Sequence, residues 1–291
     1  MKSRIFVLIV IAAAFTLGGC IESQVLVSVK KDGSGTIREL VKMNRHALEP
    51  FKEMAEQMQA SADESGAEVE QSTELMEPFK DEEIREQAAK LGAGVRYVSH
   101  ERIDDDQFIG YTAVFEFDDI TTVTVDQNPG ASVPNLGGEE GEGTSDEGEK
   151  VMFSFTRGNP ATLVIRTPSG TPGESADGTE TGELEDGQPG SDADQEGGDE
   201  LFEQMREFLR DMKIVVQVAV DGSITETNAA YVDGSTVTIM DIDFNRLIDD
   251  PEMLKQLQKT ESMDPKAAKE LLKSIPGLRV ETEEAVTVKF K

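Results

Sequence analysis

The sequence predicts an α+β protein: an antiparallel sheet of hairpins covered by helices, with disordered acidic loops. Three observations lead there. Nearly every strand-like run alternates apolar with polar residues, which marks a sheet with one buried face and argues against a parallel sheet buried on both sides. Asp-Gly pairs stand between several of those runs, a signal of tight hairpins. Other stretches repeat apolar residues three and four apart, the pattern of helices with one buried side.

The chain opens with a stretch of a different kind. Lys2 and Arg4 form a positive head, Ile5 to Leu17 make a mostly apolar run, and Leu17-Gly18-Gly19-Cys20 closes it on small residues and the single cysteine. The run is shorter than the ~20 apolar residues of a spanning helix. An ordinary export signal has no need of a cysteine at its end. The stretch resembles the signal of bacterial lipoproteins, and the resemblance implies removal of residues 1–19, a diacylglyceryl thioether on Cys20 and an N-acyl chain such as palmitate. One acyl chain anchors only reversibly, at about 0.8 kcal/mol per buried CH₂; the three implied here hold permanently. In that family Asp after the cysteine retains many Gram-negative lipoproteins in the inner membrane. Ile21 stands here instead, which favours the outer membrane, facing the periplasm.

Residues 25–43 read as a hairpin, with Val25, Val27 and Val29 alternating, a turn at Asp32-Gly33-Ser34-Gly35 and a return from Ile37 to Met43. Leu48, Phe51, Ala55, Met58 and Ala62 then share one face of a helix starting near His46, with Pro50 in its first turn. After a polar stretch, Ile84, Ala88 and Leu91 mark a second helix, with Asp81 as N-cap, Glu82 and Glu83 in the first turn and Gly92 as its end. Residues 93–103 and 107–117 form the longest hairpin, in which Tyr111, Ala113, Phe115 and Phe117 point to one side. Its turn, Asp104-Asp105-Asp106, lacks the spaced ligands and distal Glu of a calcium loop and reads as a solvated turn.

No Lys or Arg occurs between Arg102 and Lys150, and residues 128–148 are rich in Gly, Glu, Ser and Pro, too polar to offset the entropy of ordering. Val151, Phe153 and Phe155, then Leu163 and Ile165, carry two strands. Residues 168–198 again contain no basic residue and read as an extended acidic linker. Beyond it, Leu201, Phe202, Met205, Phe208, Leu209 and Met212 face one side of a helix capped by Asp199. Ile214, Val216, Val218 and Val220, a turn at Asp221-Gly222-Ser223, a return over 224–232 and a third strand over 236–241 predict a meander. Helices over 251–259 and from Asp264-Pro265 to Ile275 follow. Val286, Val288 and Phe290 alternate in a last strand, expected in or beside the main sheet. The domain reading is therefore a signal over 1–19, an N-terminal part of one body over 20–167, a linker over 168–198 and a C-terminal part over 199–291.

Charge narrows the function classes. The chain of 291 residues has 28 Lys+Arg against 58 Asp+Glu, and loss of the signal takes its net charge from −30 to −32. Neither nucleic acid nor direct docking on anionic headgroups is expected, since both require a basic surface. With Cys20 acylated no disulfide forms within the mature chain. His46 and His100, the only histidines, lie among surface-facing polar residues and in no zinc spacing, so no metal and no cofactor is expected. No nucleophile elbow, Walker loop or dinucleotide fingerprint occurs. A hydrolase with two carboxylates stays open, because any two of 58 acids could meet in a cleft.

Residues 87–117, with Ala88-Ala89-Lys90-Leu91-Gly92, and 228–244, with Asn228-Ala229-Ala230-Tyr231-Val232-Asp233-Gly234-Ser235, resemble blocks of uncharacterised exported bacterial proteins, which imply no activity. Cys20, the alternating strand after it and Asp32-Gly33-Ser34-Gly35 are similar to the start of LppM-type lipoproteins, whose α+β domain is thought to bind lipid. The functional expectation is a non-catalytic envelope lipoprotein, held to the membrane by Cys20 and serving as an interaction or assembly module for an envelope protein. The alternatives are an acyl-chain binder, with Met and Phe of the helices over 46–62 and 199–212 lining a cavity, and the carboxylate hydrolase.

Overall fold

Period-two patterning decides the first hairpin. Ile21, Val25, Val27 and Val29 fall on one face of β1 (Ile21–Val29), all buried, and Ile37, Val41 and Met43 fall opposite them on β2 (Gly35–Asn44). In the computed structural model residues 21–45, 79–126, 150–167, 212–248, 267, 271 and 273–291 are described. Next along the chain come α1 (Asp81–Lys90), β3 (Arg96–Asp104), β4 (Phe108–Phe117), a single 3₁₀ turn at Ile120–Thr122, β5 (Thr124–Asp126), β6 (Lys150–Thr156) and β7 (Ala161–Arg166). The remainder holds β8 (Lys213–Val220), β9 (Ile224–Thr227), β10 (Val232–Asp233), β11 (Thr236–Asp243), α2 (Phe244–Ile248), β12 (Leu278–Val280) and β13 (Ala285–Phe290).

These strands form two sheets. The first runs β10-β11-β8-β1-β2-β4-β3, with β12 also pairing β11, and the second runs β5-β6-β7-β13-β9. Among the described residues strands take up 59% and only two short helices accompany them, so the expected helix-covered α+β sheet is not what forms. The physical reason is what covers the buried face. Val27, Ile37 and Phe115 of the first sheet share one apolar cluster with Val151, Leu163, Val286, Val288 and Phe290 of the second, all fully buried. Alternation announces a buried face; it does not say whether a helix or another sheet lies on it. The helices expected over 46–62, 251–259 and, but for Met212, 199–212 lie outside the described residues, as do the disordered loop over 128–148 and the linker over 168–198. So does most of the helix ending at Ile275, which is itself buried in the common core. The cavity expected from Met and Phe of the helices over 46–62 and 199–212 likewise lies outside the described residues.

The sheet is also not wholly antiparallel. β1 and β8 run parallel, with Val25 opposite Val216, Val27 opposite Val218 and Val29 opposite Val220. Both strands run into an Asp-Gly turn, and residues 27–34, VSVKKDGS, are similar to residues 216–223, VQVAVDGS. The expected meander is likewise broken: β11 pairs antiparallel with β8, whereas β9 leaves for the second sheet and pairs with β13. The turn itself causes this. Ser223 exchanges backbone hydrogen bonds of 2.9 and 3.1 Å with Lys291, and Gly222, at φ +138°, sits against the Lys291 carbonyl where a Cβ would collide. The chain is thereby drawn toward the C-terminal strand instead of folding back on β8.

The second helix reading holds with one change. Ile84 of α1 is buried and Ala88 and Leu91 pack on the core, but the N-cap is Lys80, without a side-chain cap. Asp81 is the first helical residue, and its carboxylate is engaged elsewhere. Both sheets draw strands from either side of residues 168–198, through β1–β8 and β7–β13. Proteolytic nicking within 168–198 is therefore expected to leave two fragments that co-elute in size-exclusion chromatography and part only in denaturant; separation without denaturant would contradict the ladders.

Candidate functional site

Cys20, the one site residue the sequence assigns, lies outside the described residues, but the residue bonded to it does not. Ile21 is the first residue of β1, 4% exposed and opposite Met43 of β2, and Glu22 next to it is also opposite Lys213 of β8. The chain thus passes from Cys20 into an interior strand of the first sheet with no spacer.

A polar cluster surrounds this start. Glu22 and Lys42 face each other across β1 and β2 on the side of the sheet opposite Val25, joined by an ion pair of 2.7 Å with both side chains buried. Gln24 donates to the same carboxylate from its side-chain amide. The Lys42 ammonium also stands 4.8 Å from the centre of the Phe108 ring, a cation–π contact. Charges buried this deeply persist only when paired and hydrogen-bonded. Beside them, Arg45 pairs with Asp104 and donates to the Asp105 carbonyl at 2.6 Å. Asp105 accepts from the backbone of Gln107 and Phe108 at 2.8 Å each, and these two bonds hold its carboxyl below the usual range. Asp104 and Asp105 therefore build and brace the turn. Among the described residues no three His, Cys, Asp or Glu are grouped to hold a metal ion.

A second cluster was not legible in the sequence. His100 is not surface-facing: its side chain is 10% exposed, with Nε2 3.2 Å from Asp81 Oδ1 and Nδ1 2.8 Å from the Tyr97 hydroxyl. Three residues apart in a regular strand, Tyr97 and His100 would point to opposite faces. A bulge between Tyr97 and Ser99 puts Tyr97 opposite Phe115 and His100 opposite Ala113, on the same face. A neutral imidazole that donates from Nε2 to Asp81 and accepts at Nδ1 from Tyr97 satisfies all three groups. Arg102 completes the set, donating to Asp81 Oδ1 at 2.8 Å and to the Phe79 carbonyl at 2.9 Å. The Arg102 hydrogen bond is the main cause that holds the Asp81 carboxyl low.

Two further acids are buried where alternation or polarity predicted none. Glu39 takes an inner-face position on β2, opposite Ala113, and Tyr111 lies on that face one pair away. Burial, reinforced by the Glu39 charge, pushes the Tyr111 phenol above its ordinary range. Glu281, 4% exposed, accepts from the backbone of Ala230 at 2.7 Å, Thr282 at 2.9 Å and Glu283 at 3.1 Å. Asn228 adds a two-way clasp: its amide donates to the Ala285 carbonyl at 3.0 Å and its oxygen accepts from the Thr287 backbone at 2.7 Å. These bonds give the Asn228-Ala229-Ala230 block a structural purpose, tying the loop after β9 to the start of β13.

No family model and no curated protein matches the chain. Among solved structures, the LppM protein folded domain of Mycobacterium tuberculosis, determined by NMR, aligns over 95% of this chain and 94% of that one, at 10% identity and a TM-score of 0.32. A likeness of that size carries no argument about fold or function. No helix among the described residues is long and apolar enough to cross a membrane.

Two variants test these clusters. Lys42→Met strands a buried carboxylate and is expected to cost about 3–5 kcal/mol in denaturant unfolding, whereas pairing it with Glu22→Gln recovers most of that loss. For Asp81, a folded-state pKa held low means that its stabilisation is complete above the unfolded value of about 3.9 and is lost as pH falls through the lowered value. Acidification from about pH 7 to about pH 3 should therefore lower the Tm of the unsubstituted chain further than that of Asp81→Asn.

Proposed function

We propose that the protein is a non-catalytic envelope lipoprotein, acylated at Cys20, whose two-sheet body is an interaction or assembly module held directly on the membrane, the outer one where the envelope has two. The observation that carries this is the absence of any tether between Cys20 and β1. A module meant to reach across a periplasm needs a spacer; a module that works at the bilayer surface does not. The polar clusters support a structural body. Glu22 is engaged by Lys42, Glu281 by three backbone amides, and both nitrogens of His100 by neighbouring side chains, so these groups are committed to internal bonds. The acidic surface suits an envelope protein partner and disfavours nucleic acid.

The test is fractionation with Cys20→Ser. The unsubstituted chain should incorporate labelled palmitate and partition into the detergent phase, and the variant should do neither. A variant that stays with membranes would overturn the anchor. Turnover of an ester, glycoside or phosphoester substrate that a single Asp or Glu substitution abolishes would overturn the non-catalytic reading.

A further inference from the structure

We propose that the rim of the first sheet carrying Ile21 rests in the lipid headgroup layer, so that the body has a fixed orientation on the bilayer. This builds on the acylation of Cys20 proposed above and adds which surface meets the lipid. The Cα of Cys20 is about 3.8 Å from that of Ile21. Ile21 and Glu22 are both 4% exposed and lie in an interior strand, so the sheet cannot move away from its anchor without losing strand pairs.

Strand register identifies the rest of that rim. Ile21 stands opposite Met43, and Asn44, the next residue of β2, stands opposite Phe108 at the start of β4. Arg45 then donates to the Gln107 carbonyl at 2.9 Å. On the other side Lys213 opens β8 opposite both Glu22 and Asp243, and α2 follows at once with Arg246 exposed. At the opposite end lie the turns at residues 30–34 and 221–223, a β1 length away, or about 27 Å.

The chemistry of the rim fits a headgroup layer. Among the described residues it carries both signs, with Arg45, Lys213 and Arg246 standing beside Asp104, Asp105, Asp106 and Asp243. The Lys213 ammonium there suits a lipid phosphate, and the exposed carboxylates of Asp104, Asp105 and Asp106 suit ethanolamine. The half-buried Phe108 ring, already beneath the Lys42 ammonium, adds apolar surface at that level.

The test uses the full acylated chain in phosphatidylethanolamine–phosphatidylglycerol vesicles containing a nickel-chelating headgroup lipid. Nitroxide labels go on Gln107→Cys at the rim or Lys31→Cys at the far turn, both exposed positions. The rim label should relax several-fold faster than the far label, and a long Gly-Ser spacer inserted between Cys20 and Ile21 should abolish the difference while vesicle binding remains. Equal relaxation in bound, spacer-free protein would overturn the orientation alone. Protein that fails to sediment with the vesicles would overturn the acylation reading and the orientation with it.

Discussion

The parallel ladder between β1 and β8 is the constraint on which the rest of the structure depends. Strands that run parallel cannot be joined by a tight turn and need a long crossover. Here the crossover contains β2 to β7, and therefore the remaining N-terminal strands of the first sheet and three strands of the second. Val25, Val27 and Val29 meet Val216, Val218 and Val220 along that ladder, and the resulting apolar strip is part of the core that both sheets share. The C-terminal segment then divides its strands: β11 extends the first sheet beyond β8, and β9 and β13 close the second.

Polar burial does a different job from the apolar core. Valine and isoleucine supply most of the burial but say little about which strand lies beside which. For Glu22 with Lys42 and Glu281 with three backbone amides, a shifted partner leaves a charge unsatisfied in a poor dielectric, while the half-exposed Asp81 joins His100 to Arg102. Each cluster sits at a junction the core leaves underdetermined: the start of β1, the seat of α1 on β3, and the loop between β9 and β10. We read them as register devices.

The same economy bears on the acyl anchor proposed at Cys20. A lipid attached to a flexible tail restrains only position, whereas a lipid attached to the first residue before an interior strand also restrains rotation, because the strand carries the sheet with it. The Glu22–Lys42 pair lies one residue inside that attachment and ties β1 to β2 where a pull on the anchor would first open them.

Much of the strand inventory was legible in residue order. Val25, Val27 and Val29, the run from Tyr111 to Phe117, and Val286, Val288 and Phe290 are strands because alternation is a local property that any half-buried sheet imposes. The turns at Asp32-Gly33 and Asp221-Gly222 were equally local. Tertiary structure alone decided what lies on the buried face, that β1 and β8 run parallel, and that β9 abandons β8, because each depends on a partner distant in sequence, such as Lys291 against Ser223. It also decided the candidate sites. Tyr97 and His100 share a face only because of a bulge that no side-chain pattern announces, and Glu39 and Glu281 look like two more surface acids among 58 until their burial is seen. Charge in a sequence reports composition; whether a given carboxylate is solvated or structural is settled by which neighbours the fold brings within hydrogen-bond reach.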